Sequence, residues 1–98
     1  MNKDQFLKGF APQAKTIKLD NGEVEINELT LEQRSKLHKV IAKDPVGAPA
    51  MIVCLGCSLF TEKDLPEIQA LGGKAIAEIS DAILELSGLA DPEEAEKN

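Results

Sequence analysis

Apolar and polar positions alternate strictly in two short runs near the start of the chain. Ile17 and Leu19 are interleaved with Thr16, Lys18 and Asp20, and Val24 and Ile26 with Glu23, Glu25 and Asn27. This period of two predicts a β-hairpin over residues 13–28, with Asn21-Gly22 supplying the two positive-φ positions of a type I′ turn. Four apolar side chains then share one face. An isolated two-stranded hairpin is marginal in water, so that face needs cover. The apolar segment Ala50 to Phe60 is the expected source within the chain, and another protein is the alternative.

The period then changes to that of helices, over residues 30–88. Thr30 is a candidate N-cap and Gln33, three residues on, completes a capping box. A helix from Leu31 to about Lys43 follows, with Leu31, Leu37, Val40 and Ile41 as its apolar stripe, until Asp44-Pro45 breaks it. A second helix is predicted to begin near Pro45 or Pro49 and to run to about Phe60. It is apolar on nearly every side, which makes it the expected centre of the core. Thr61 and Asp64 offer further capping before a short helix marked by Leu65, Ile68 and Leu71, which Gly72-Gly73 terminates. Ile76, Ile79, Ile83 and Leu86 recur at helical spacing in the last helix, and Gly88 is its natural terminator. These four residues are either core-facing or an apolar seam for a partner helix.

Outside these elements the chain has two distinct ends. Asn2 to Phe10 predicts a short amphipathic turn of helix with Phe6 and Phe10 four apart, stopped before Pro12. Those two aromatics either dock on the core or serve as partner-facing anchors. Residues 91–98, DPEEAEKN, carry nothing apolar larger than Ala and are expected to be a disordered acidic tail. The fold expected is therefore α+β and predominantly helical: one domain over residues 1–90, in which a hairpin packs on about four helices.

Composition narrows the function. The chain of 98 residues is long enough for one small core. Its 3% aromatic content leaves little for stacking on bases, and its net charge of -6 opposes a phosphate-binding surface. Residues 1–60 hold eight Lys or Arg against seven Asp or Glu, whereas residues 61–98 hold three against ten, so the acidity is concentrated in the second part. No nucleic-acid partner is expected. Met1 to Phe10 mixes Lys3, Asp4 and Lys8 with few apolar residues, unlike a signal peptide, and the longest apolar run is too short to cross a bilayer. A cytoplasmic protein without a membrane partner is expected.

Residue chemistry offers few sites. Cys54-Leu-Gly-Cys57 is the one pattern that resembles a metal or redox motif. Two Cys and the single His38 cannot complete a closed zinc site within one chain, and a pair inside an apolar run reads as buried thiols acting as small hydrophobes. His38 has no nucleophile near it in sequence to activate. Gly72-Gly73-Lys74 lacks both the upstream glycine and the following hydroxyl residue of a phosphate loop. No catalytic, cofactor or metal residue is assigned, and no enzyme is expected. A basic segment with Arg34, Lys36, Lys39 and Lys43 keeps open an alternative, a small regulatory or antitoxin-like module binding DNA or protein.

The order of elements resembles a known family. The hairpin around Asp20-Asn21-Gly22, the sequence E-L-T-L-E-Q-R opening the first long helix (Glu28 to Arg34), the ending C-S-L-F-T-E-K-D-L (Cys57 to Leu65) and the C-terminal A-I-L-E-L-S-G-L (Ala82 to Leu89) are similar to the small tail assembly chaperones of long-tailed bacteriophages. The resemblance covers residues 14 to 90. It implies a non-catalytic protein of the host bacterial cytoplasm that binds the tape-measure protein, keeps it soluble, helps recruit major tail protein and is left out of the mature virion. Self-association is a further option. On this reading Phe6, Phe10, Ile76, Ile79, Ile83 and Leu86 are the candidate partner-binding residues. The family also makes a longer form by ribosomal frameshifting, and Glu96-Lys97-Asn98 can be encoded with the slippery heptamer A-AAA-AAC.

Overall fold

A computed structural model describes residues 1–89, and the predicted tail lies outside them. Strands β1 (Ala14–Leu19) and β2 (Gly22–Asn27) form an antiparallel hairpin, followed by α2 (Leu31–Lys43), α3 (Ala48–Gly56), α4 (Leu65–Gln69) and α5 (Gly73–Leu86); a short α1 (Lys3–Gly9) precedes it. The class is α+β and mostly helical, as the periodicities predict.

The turn of the hairpin differs from the expected one. Leu19 pairs with Gly22, so the two loop residues are Asp20 and Asn21, and Asn21 does not take a positive φ. Gly22 alone does, at +152°, a conformation that L side chains rarely adopt. Moving the loop by one residue moves the pairing by two, which preserves the side-chain alternation. Ile17 therefore faces Val24, Lys15 faces Ile26, and the apolar set still shares one side.

That side is covered by α5, which packs on both strands, and less by α3 than the composition suggested. Ile26 is fully buried, while Ile17, Leu19 and Val24 are half-buried against the core. The chain after α3 contributes differently. Helix α3 stops at Gly56, short of Phe60, because Cys57 turns to an extended conformation and bridges to Ile26 on the outer edge of β2. Ser58 extends the link: its N–H donates to the Glu25 carbonyl at 3.2 Å, and its hydroxyl accepts from Asn27 Nδ2 at 2.8 Å and donates to Glu25 Oε1 at 2.9 Å.

The core is the layer between α3 and α5. Ile52, Val53 and Cys54 of α3 and Ile76, Ile79 and Ile83 of α5 belong to one buried cluster, which also takes in Leu29, Leu37 and Ile68. Gly56 permits the closest approach, since a Cβ there would lie 2.6 Å from Ile83 Cγ2. The stripe expected on α2 is only partly core: Leu37 is buried, Val40 half-buried, and Leu31 and Ile41 are exposed. Helix α2 therefore meets the domain through Leu37 and Val40 and through the half-buried Gln33 and Arg34 of its first turn.

The caps follow the local signals closely. Thr30 Oγ1 accepts the Gln33 N–H at 3.1 Å and Gln33 Oε1 accepts the Thr30 N–H at 2.9 Å, satisfying two otherwise orphaned donors. Gly88, at φ +72°, closes α5 with the paired bonds of a Schellman motif, Leu89 N–H to the Leu84 carbonyl and Gly88 N–H to that of Glu85. Gly72-Gly73 opens α5 rather than closing α4, which ends at Gln69.

Candidate functional site

The buried hydroxyl of Ser87 joins the two ends of the helical region. It accepts the Leu29 N–H at 2.9 Å, and the Ser87 carbonyl accepts from the Arg34 guanidinium. The hairpin-to-α2 joint is thereby tied to the end of α5. Gln33 adds a third tie, its amide donating to the Leu55 carbonyl at 3.0 Å. None of these long-range bonds carries a sequence signal, because one Ser or Arg has no period.

These ties redistribute the basic segment of α2. Arg34 is committed to Ser87, and Lys36 pairs with Glu62 at 3.1 Å. Among the described residues, Lys39 and Lys43 are the cations of that segment without such a partner. His38 is exposed on the same helix.

The two thiols are both buried and unpaired. Cys54 lies in the last turn of α3, and Cys57 is its extended cap rather than a mid-helix residue. Burial pushes the Cys54 thiol above its ordinary pKa, and the carboxylates of Asp64 and Glu62 push it further in the same direction. A neutral, enclosed thiol is a poor nucleophile and a poor metal ligand. Among the described residues, no group of three or more His, Cys, Asp or Glu side chains could hold a metal ion.

Of the candidate partner-binding residues, Ile76, Ile79 and Ile83 are buried in the α3–α5 layer, the core-facing alternative, and Leu86 is half-buried. Phe6 and Phe10 are placed quite otherwise. They do not dock on the domain: their rings lie 4.8 Å apart, tilted against one another, and remain 54% and 71% exposed, with Leu7 beside them equally uncovered. An Asn2–Gln5 capping box, missed in the sequence although its pattern is legible, starts this helix.

A second uncovered apolar surface has no single-residue signal. It is a groove of about 390 Å³ where the start of α3, the end of α4 and the start of α5 meet. Val46, Pro49, Ile68, Leu71, Ile76 and Ala77 contribute its apolar lining, and Asp44 is the one charged residue there. Val46 is 89% exposed and Leu71 53%, so its rim is greasy and open. The arrangement can take up apolar side chains but holds no group poised for chemistry.

The fold and these surfaces define a small, mostly helical α+β domain with uncovered apolar positions. Comparisons with protein-family models, with curated proteins and with solved structures find no match. Among the described residues, no helix is long and apolar enough to cross a membrane.

Proposed function

We propose that this chain is a tail assembly chaperone of a long-tailed phage or prophage. It binds the tape-measure protein in the host cytoplasm, keeps that long helical chain soluble, helps recruit major tail protein and leaves before the virion is complete. The role is one of binding, without catalysis or cofactor.

The observation that supports this reading is apolar surface left uncovered beside a well-filled core. Phe6, Leu7, Phe10, Val46 and Leu71 are all more than half exposed, in two places that could each receive an amphipathic helix. A client helix with apolar residues every three or four positions presents the matching surface. The motif resemblance from the hairpin to Leu89 supplies the identity of the client.

Co-expression with the long reading frame encoded next to this gene tests the proposal. The client should move to the soluble fraction and co-purify with this chain; a client equally insoluble with and without it, or neighbouring genes of metabolism, would overturn the reading. Sequencing codons 96–98 tests the longer product, and a run of A broken by AAG or GAG there would remove that part.

A further inference from the structure

The arm and the groove are unpartnered in complementary ways. Helix α1 offers Phe6, Leu7 and Phe10 on a turn carrying Lys3 and Lys8 against the single Asp4. The groove offers an apolar lining whose one charge is the carboxylate of Asp44. Its volume, about 390 Å³, falls among pockets that enclose compact apolar groups. One surface lacks cover and the other lacks filling, and their charges are opposite.

Their positions discourage a match within one chain. The root of the arm is pinned at Gln13, whose carbonyl accepts the Glu28 N–H at 2.7 Å and whose N–H donates to Glu28 Oε1 at 3.1 Å. Glu28 adjoins Leu29, which Ser87 holds at the C-terminal end of α5. The groove lies at the opposite end of that helix, with Gly73, Ile76 and Ala77. Fourteen helical residues separate these ends by roughly 20 Å. Three residues from Gln13 to Phe10 span at most about 10 Å, and helix back to Phe6 adds about 6 Å. To fill its own groove the arm would have to straighten along the full length of α5 with both rings turned inward. A second copy meets no such constraint.

We infer that the arm of one copy seats in the groove of another, with Phe6 and Phe10 entering beside Val46 and Leu71 and Lys3 or Lys8 approaching Asp44. The contact is heterologous, joining different surfaces on the two molecules, and so extends to open chains unless the arms are exchanged reciprocally. It concerns the free protein and does not depend on the identity of any client.

The test uses full-length chains in sedimentation or light scattering. Wild type should exceed its monomer mass of 10.6 kDa as concentration rises. The arm variant Phe6→Ser/Phe10→Ser and the groove variant Ala77→Glu should each weaken association about tenfold or more, as loss of anchor residues does. All three altered positions are exposed, so both variants should melt close to wild type; Leu71→Glu is a second groove variant should Ala77→Glu melt early. Mixing the arm and groove variants should restore a one-to-one pair, since one supplies an intact groove and the other an intact arm. A wild type that stays at monomer mass, variants that associate as wild type does, or a mixture that fails to pair would each overturn the inference, as would cross-linking of residue 6 to residue 71 within one chain only.

Discussion

Helices α5 and α1 both place apolar side chains at helical spacing, yet they end in opposite environments. Ile76, Ile79 and Ile83 of α5 are buried against α3, and Ile83 is fully enclosed. Phe6 and Leu7 of α1 and its cap residue Phe10 stay more than half exposed, the two rings lying against one another. Periodicity specifies that a segment is a helix with one apolar face; it does not say what covers that face. The cover comes from what the rest of the chain can bring there. Helix α3, ending in Gly56, is shaped to approach α5, whereas α1 has a four-residue link and no surface of its own to lie on.

The sharpest break in this comparison comes from truncating one buried side chain of α5 and, separately, both rings of the arm. Ile83→Ala should cost about 2–5 kcal/mol, since a fully buried side chain leaves a cavity, lowering the melting temperature by roughly 10 °C or more. Phe6→Ala/Phe10→Ala should stay within about 0.5 kcal/mol of wild type in the same denaturant titration. Similar costs for the two would erase the distinction.

Close approach is a separate cause from burial and has its own variant. Gly56→Ala places a methyl group 2.6 Å from Ile83 Cγ2, and overpacking of this kind costs about 1–3 kcal/mol. In an Ile83→Ala background the cost should shrink, and an unchanged cost in that double-mutant cycle would show that Ile83 is not the obstacle. Ser87→Ala should come next, at about 1–2 kcal/mol, because it leaves the buried Leu29 N–H without its acceptor. Hydrogen exchange at the Leu29 amide should speed up in parallel, which a merely global loss would not single out.

The smallest effect is pH-dependent. Burial holds the Cys54 thiol neutral in the fold, so its folded pKa lies above the unfolded one. Its contribution is fully present while an unfolded thiol keeps its proton and is lost as pH rises past about 9 towards the folded value. Stability should therefore fall more steeply at alkaline pH in wild type than in Cys54→Ala, and equal slopes would argue against an enclosed thiol. Native alkylation of Cys54 should be slow for the same reason.

Local signals were the legible ones. The Thr30–Gln33 capping box, the alternation in the hairpin, the stop at Gly88 and the period of α5 each depend on residues within a few positions of one another, and each is present. Where a distant residue decides, the pattern was insufficient. Helix α3 ends early because Cys57 is drawn to the edge of β2, and half of the α2 stripe is left outside because the core is filled by α5. The turn shifted by one residue because either centre keeps the same face inward, so the apolar pattern cannot tell them apart. The groove was illegible for a related reason: three helix ends create it, and no segment announces it. Phe6 and Phe10 stood out as the only aromatics of the arm, but their exposure depends on what the domain withholds.

The Ser87 tie has a topological consequence. With Leu29 fastened to Ser87 and Gln13 fastened to Glu28, the beginning of β1 and the end of α5 meet at one pole, and the backbone between them is close to a closed ring. Such a ring has no privileged starting point. The two strands and four helices should survive being opened elsewhere, between Leu71 and Gly73, with a short linker joining residue 89 to residue 13. Anything fused after Leu89 starts beside the root of the arm, leaving the groove at the far pole unobstructed.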